Sequence, residues 1–393
     1  MLFPVRVLVC VVGVSVCLLC CCTAEKVPPQ FELDLDLPPR QRWVKIYKSL
    51  FNDPDFDMSL FKSVILSMKQ KVADKKCNEQ CTKRLEAAYK QRFPEYYEEL
   101  AGIYDVLPDW NFTMAEFVAM QSEYEFTLLF LDPSARAKVL ADELHLVPGA
   151  PGCTSILTCN KDHQILHGRN LDWGADGRVY AAILFTLNFT RNKQLIFQTH
   201  QIPGHLGVVS GVRPKSYSMT LNARVAYEVS PTIDQYVDAV ETIPMQPIMT
   251  GYRYYFENFK NYDDLIQNIT TTPYCAGRYS IIASIDGRGG RYQFNFSSNY
   301  AEHSVIITKE ELDCSDNSWY VAQCNSDIGF DTPLDPRRQL VMEALDDEGR
   351  VNGTTVHGVY RAMTIPMVLN SQTIHTSVMS PASGDIVTIA HDI

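Results

Sequence analysis

The stretch from Gly152 to Trp173 constrains the fold of this chain more than any other. Two runs rich in aliphatic and β-branched residues, Cys153 to Cys159 and His163 to Trp173, flank a polar break at Asn160, Lys161 and Asp162. Apolar runs around a short polar break form a β-hairpin. With Lys161 at the turn centre, Cys153 is expected opposite Arg169, where cross-strand Cβ atoms lie about 4.5–5.5 Å apart. Asp172 follows just beyond, where the second strand ends. One local turn thus gathers a thiol, a guanidinium and a carboxylate.

Each group has a chemical use. A nearby cation lowers a thiol's pKa and favours thiolate, the reactive form. A carboxylate can hold an ammonium group. No Cys-His motif surrounds Cys153, so the base must come from elsewhere. A cut between Gly152 and Cys153 would supply one, the new α-amino group, with a pKa of about 7.7–8.0. A nucleophile served by its own amine is a known arrangement. The bland alternative is a core cysteine in a strand beside a surface Arg-Asp pair.

The residues also carry a resemblance. Cys153-Thr154-Ser155-Ile156, then His167-Gly168-Arg169-Asn170-Leu171-Asp172, resembles the β-subunit start of the acid ceramidase and N-acylethanolamine acid amidase family. These are N-terminal nucleophile hydrolases. Asp34 to Pro39 with Arg42-Trp43 resembles the start of their α-subunit, and Thr220 to Arg224 a strand in mid-chain. Trp319 to Asp327, followed by Asp335-Pro336-Arg337-Arg338, resembles the region of the oxyanion asparagine. Leu35 to Pro39 and Thr220 to Asn222 lean toward the ceramidase branch. The resemblance implies an α+β fold, with an αββα sandwich in the β-subunit and a helical α-subunit.

The resemblance also implies roles. Cys153 attacks an amide carbonyl, Asp172 holds its freed amine, and Arg169 biases the thiol toward thiolate. Asn325 donates to the oxyanion, Arg337 orients Asn325 or the substrate, and Asn222 helps line the oxyanion site. Trp173 walls the acyl pocket. His163 and His167 are assigned no role. No cofactor or metal is implied. The substrate is an N-acyl lipid: ceramide first, a fatty acid ethanolamide second. A lipid-binding protein without catalysis is a third possibility of another class. Activity is expected to be greatest at acid pH, with transient contact to a lipid surface.

The whole chain fits a secreted or lysosomal α/β heterodimer cut from one precursor. Its formal charge of −11 argues against nucleic-acid binding. Residues 1–24 read as a signal peptide, with Arg6 before an apolar run and small residues at the cut; a retained anchor is the alternative. Five sequons follow, at Asn111, Asn188, Asn268, Asn295 and Asn352. With the leader gone and Cys153 reserved, six cysteines remain to pair, in a connectivity the sequence leaves open. Cys77 and Cys81 could join each other or later chain.

Residues 25–152 are expected to form the α-subunit and 153–393 the β-subunit. Helical periodicity runs from Arg40 to about Leu146, with a capping box at Thr113 and Glu116. About 132–152 reads as an exposed, Pro- and Gly-rich processing loop that departs from the family. Strands are expected at Val179 to Thr190, Gln194 to Thr199, Ser216 to Asn222, Tyr279 to Ile285, Ser304 to Thr308, Trp319 to Gln323, and near Thr376 and Val387. Helices are expected at Thr232 to Ile243, Asn258 to Thr270, Asp335 to Leu345 with Asp335 as N-cap, and Val356 to Met363.

Overall fold

The computed structural model describes residues 26–128, 151–173, 177–224, 232–242, 247–272, 274, 277–294, 306–315, 318–327 and 335–392. The expected signal peptide, Asn295, Cys275 and nearly all of the processing loop lie outside these residues.

After β1 (Gln30–Asp34) come six helices: α1 (Val44–Asn52), α2 (Met58–Asp74), α3 (Glu79–Arg92), α4 (Pro94–Tyr104), α5 (Met114–Met120) and α6 (Glu123–Leu128). Their periodicity explains them. In α2, Phe61, Val64, Ile65, Met68 and Val72 make one buried stripe, and the Asp57 side chain caps the N–H groups of Ser59 and Leu60. In α5 the Thr113–Glu116 capping box forms as expected.

The central hairpin is β2 (Pro151–Cys159) and β3 (Ile165–Trp173), followed by α7 (Gly177–Ile183). Then come β4 (Phe185–Arg191), β5 (Gln194–Gln201), β6 (Ser210–Arg213), β7 (Tyr217–Ala223), α8 (Ile233–Thr242), α9 (Ile248–Asn258) and α10 (Tyr262–Thr271). The chain continues through β8 (Arg278–Ser284), β9 (Gly289–Phe294), β10 (Ile306–Leu312), β11 (Tyr320–Gln323), α11 (Arg337–Gly353, kinked at Gly349), α12 (Val356–Met363), β12 (Thr373–Met379) and β13 (Ile386–Ala390).

Two sheets stack between helical layers. One has the order β11-β2-β3-β12-β13, the other β1-β4-β5-β6-β7-β8-β9-β10. On the outer face of the first, Ile156 and Val378 pack with Val341 and Leu345 of α11 and Val359 and Met363 of α12. On the outer face of the second, α9 presents Phe256 to Phe197, rings 5.2 Å apart. This is the αββα sandwich that the resemblance implied.

Four expectations need correction. The hairpin register is shifted by two residues, pairing Cys153 with Leu171 and Ser155 with Arg169. The turn is longer than expected: the Asn160 side chain accepts from Asp162 and Gln164 N–H, Asn160 N–H donates to the Gln164 carbonyl, and His163 adopts φ 59°. Val179 to Ile183 is helical rather than strand. Ahead of the helices, β1 lies parallel to β4 in the eight-stranded sheet. Asp335 is not an N-cap; Pro336 occupies that position and the Asp335 carboxylate turns to Arg337. The sequence also missed α9, β6 and β9.

Cys77 bonds Cys81, and Cys159 bonds Cys314. Cys324, counted among the six to be paired, is a free buried thiol beside the Thr154 hydroxyl. The sequons differ in setting. Asn111 and Asn352 are exposed and Asn268 is partly exposed. Asn188 is half-buried in β4, between β1 and β5.

Candidate active site

Cys153 sits near the start of β2, in the space between the sheets, and is buried. Arg169 lies diagonal to it, two residues from its direct partner. A guanidinium is long enough to cross that offset, and Nη2 donates to the Cys153 sulfur at 2.9 Å. The same nitrogen donates to the Leu221 carbonyl at 2.8 Å, and Nη1 reaches the Ser155 hydroxyl at 3.2 Å and the Asn222 side-chain oxygen. Arg169 is fully buried, so these contacts fix its plane.

Burial pushes the Cys153 thiol above its ordinary value. Arg169 pulls it down, Asp172 pushes it up and Arg337 pulls it down, but burial wins. Arg169 thus biases the group toward thiolate as expected, but by less than burial opposes it in the uncut chain. A base must take the proton.

The Cys153 backbone nitrogen donates to Asn325 Oδ1 at 2.7 Å. Arg337 Nη2 donates to the same oxygen at 3.0 Å, which fixes the amide's orientation because a guanidinium only donates. Asn325 Nδ2 donates to the Ala223 carbonyl at 2.8 Å. In this arrangement Asn325 therefore steadies the nucleophile's nitrogen, and one of its two amide protons is unavailable to an oxyanion. Asn222 has none to offer, since Nδ2 donates to the carbonyls of Gln323 and Cys324 at 2.9 and 3.2 Å. It serves as an acceptor for Arg169 and Ser155.

Asp172 faces Gly152 directly across the ladder. In the uncut chain its carboxylate takes Arg337 Nη1 at 3.1 Å, Thr373 Oγ1 at 2.7 Å and Asn370 Nδ2 at 3.3 Å. Arg337 is in turn gripped by both carboxylate oxygens of Asp335, at 2.6 and 2.9 Å. An added Cβ at Gly152 would lie 3.2 Å from both Arg337 Nη1 and Asp172 Oδ2, so the backbone before Cys153 is held close to this ion pair.

Adjacent Arg338 donates to the carbonyls of Ser326 and Asp327, and Arg224 pairs with Asp327 at 2.8 Å. Both contacts brace the loop that carries Asn325. Trp173 is buried one residue past Asp172, with its ring edge-on to His205 at 6.2 Å. His167 is buried and bonded to Ser218 and Thr220, as a packed histidine should be. Sequence reasoning missed Asp335 as a partner, and also Ser155, Asn370 and Thr373. Asp335 stood beside Arg337 in sequence; Asn370 and Thr373 reach Asp172 only through the β3–β12 pairing.

The nearby grouping of Cys159, His163 and Cys314 has metal-ligand spacing. Its two sulfurs are joined as a disulfide, which leaves no thiolate to bind an ion.

Residues 153–285 match the family model described as linear amide C–N hydrolases, choloylglycine hydrolase family. A probable acid ceramidase of Caenorhabditis elegans is 25% identical over 374 residues, covering 90% of this chain and 83% of that protein. An N-acylethanolamine-hydrolyzing acid amidase of the same organism is 25% identical over 369 residues, covering 93% and 92%. The chain is a homologue of the acid ceramidases and N-acylethanolamine acid amidases. It is an amidohydrolase of the N-terminal nucleophile type. Among solved structures, a Caenorhabditis elegans N-acylethanolamine-hydrolyzing acid amidase ortholog gives a TM-score of 0.49 at 25% identity, covering 58% of this chain and 93% of that one.

Proposed function

We propose that this amidohydrolase cleaves the amide bond of N-acyl lipids, ceramide first among them, after cutting itself between Gly152 and Cys153. The observation that carries the reading is the 2.9 Å contact of Arg169 with a sulfur whose own backbone nitrogen is held at 2.7 Å by Asn325. Nucleophile and prospective base are one residue, and each end has its own fixed partner.

In the uncut chain the Cys153 sulfur attacks the Gly152 carbonyl carbon. The peptide C–N bond breaks, the Cys153 amine is freed, and water hydrolyses the resulting thioester to leave Gly152 as a carboxylate. In turnover the freed amine takes the thiol proton as the sulfur attacks the lipid amide. That proton passes to the departing amine, and water hydrolyses the acyl-cysteine. Asn325 then holds the amine at Oδ1, with Asp172 and Arg337 setting the charge around it. An incoming carbonyl oxygen needs donors; the second Asn325 amide proton is one that remains.

The fragments 25–152 and 153–393 would stay together as an α/β heterodimer. Glu99 of α4 takes both end nitrogens of Arg253 of α9 at 2.7 Å, fully buried, and β1 pairs with β4. An N-acyl lipid as substrate implies transient contact with a lipid surface. The N-terminal sequence and sequons support passage through the secretory pathway to the lysosome or outside, with glycans at Asn111, Asn268 and Asn352.

N-terminal sequencing of the secreted protein after acid incubation tests the reading. The larger fragment should begin at Cys153, and Cys153→Ala should stay one chain. An uncut wild type would leave only lipid binding. An N-acylethanolamine is the second substrate, since identity to both kinds of relative is 25%. Competing ceramide against N-palmitoylethanolamine decides between them.

A further inference from the structure

Behind Arg169 runs a row of buried polar atoms that the mechanism above does not use. Arg169 Nε, Ser377 Oγ, both ring nitrogens of His375, His200 Nδ1 and Ser210 Oγ have no hydrogen-bond partner among the described residues. Four of these five residues are fully buried, and His200 is 4% exposed.

Strand pairing makes them continuous. Ser377 of β12 is the direct partner of Arg169. His375 lies two residues along on the same face, and its ring is 4.3 Å from that of His200 on the opposing sheet. Ser210 is on β6, next to the strand of His200. The other His200 nitrogen meets Thr388 on β13, the edge strand of the five-stranded sheet. The row thus leads from the central hairpin to a sheet edge.

Buried polar groups are nearly always paired. Six unpaired in one file, with protein on all sides, call for bridging water, which fills polar rather than apolar interiors. Position gives this water a use. In a planar guanidinium Nε–H and Nη2 share one edge, so acceptors on them sit side by side. Nη2 holds the Cys153 sulfur and the Leu221 carbonyl. A water on Nε therefore lies within the width of one guanidinium of that sulfur. On its other side Cys153 belongs to the apolar cluster of Leu171, Trp173 and Leu221, where an acyl chain would exclude water.

We propose that this file of buried water supplies the molecule that hydrolyses the acyl-cysteine, entering from behind Arg169 rather than past the lipid. The proposal rests on the thiol-nucleophile reading. The water oxygen attacks the thioester carbonyl carbon and the C–S bond breaks. The water proton passes through the Cys153 amine to the sulfur, and the products are the free fatty acid and the thiol.

The test uses the mature protein with N-dodecanoyl-7-amino-4-methylcoumarin. Ser377→Ala and His375→Phe each remove polar atoms from the file without large added bulk. Released coumarin reports acylation, and rapid-quench intact mass of the 153–393 fragment reports the dodecanoyl enzyme. Both variants should acylate at the wild-type rate and hydrolyse the acyl-enzyme about tenfold more slowly, equivalent to ~1.4 kcal/mol, so that acyl-enzyme accumulates. Unchanged hydrolysis of the acyl-enzyme overturns the proposal. A high-resolution crystal structure of the mature wild type provides a second measure: ordered waters on Arg169 Nε, Ser377 and His375 are expected, and a dry row overturns it. If wild type is never acylated at Cys153, the nucleophile reading itself has failed.

Discussion

The Arg169 guanidinium donates to the Cys153 sulfur at 2.9 Å, although the two residues are not partners across the ladder. The diagonal arrangement leaves Ser155 directly opposite Arg169. It lets one guanidinium touch the nucleophile, a strand carbonyl and a second side chain together.

That arrangement needs a planar fork, not just a charge. Arg169→Ala is expected to leave the precursor uncut and to abolish turnover. Arg169→Lys keeps the charge but cannot make the set of contacts, so processing should slow by about 10²-fold or more, the scale set by small misplacements of reacting groups. Gel analysis over a time course at acid pH measures this. Normal cleavage in Arg169→Ala would remove Arg169 from the chemistry.

Asp335 acts one step further back. Both it and Arg337 are buried, and breaking such a pair costs about 3–5 kcal/mol. Asp335→Ala should lower the urea midpoint. It should also cut kcat by about 10–100-fold while KM stays within about twofold, because Arg337 then orients Asn325 and Asp172 poorly. Loss of stability with unchanged kcat would make Asp335 structural only.

Acid pH should favour the folded chain through Glu125. Burial lifts its carboxyl to about 7, whereas an unfolded glutamate titrates near ~4.3. The native state therefore holds more protons between those values, and its stability falls as pH rises through that window. Glu125→Gln removes the penalty. Its melting temperature should match wild type near pH 4 and exceed it at pH 7–8. The buried histidines act in the opposite sense. Burial holds His167 and His200 down to about 3, so their contribution is present above the ordinary histidine range and is lost as pH falls through it. A Glu125→Gln difference that did not grow with pH would refute the assignment.

The two disulfides should contribute unequally. Cys159–Cys314 joins residues 155 apart, whereas Cys77–Cys81 joins residues 4 apart. In the chain-entropy model a closure on the longer scale stabilises by about 4–5 kcal/mol, and a short one by much less. Urea midpoints of Cys159→Ser with Cys314→Ser, against Cys77→Ser with Cys81→Ser, should differ in that order.

Local chemistry wrote much of this molecule into the sequence. Helical stripes, the Thr113–Glu116 box and the paired apolar runs around Asn160 act over a few residues, so they could be read directly. So could the presence of Cys153, Arg169 and Asp172 on one hairpin. The register could not, because the turn's own hydrogen bonds lengthened it by amounts that apolar alternation does not encode. Nor could the clamp of Asp335, Arg337, Asn325 and Asp172, in which Arg337 and Asp172 stand 165 residues apart and meet only when α11 docks against β2 and β11. The balance of influences on the thiol arises the same way. Sequence places a cation near Cys153, but only the stacking of two sheets removes the water, and that desolvation outweighs the cation.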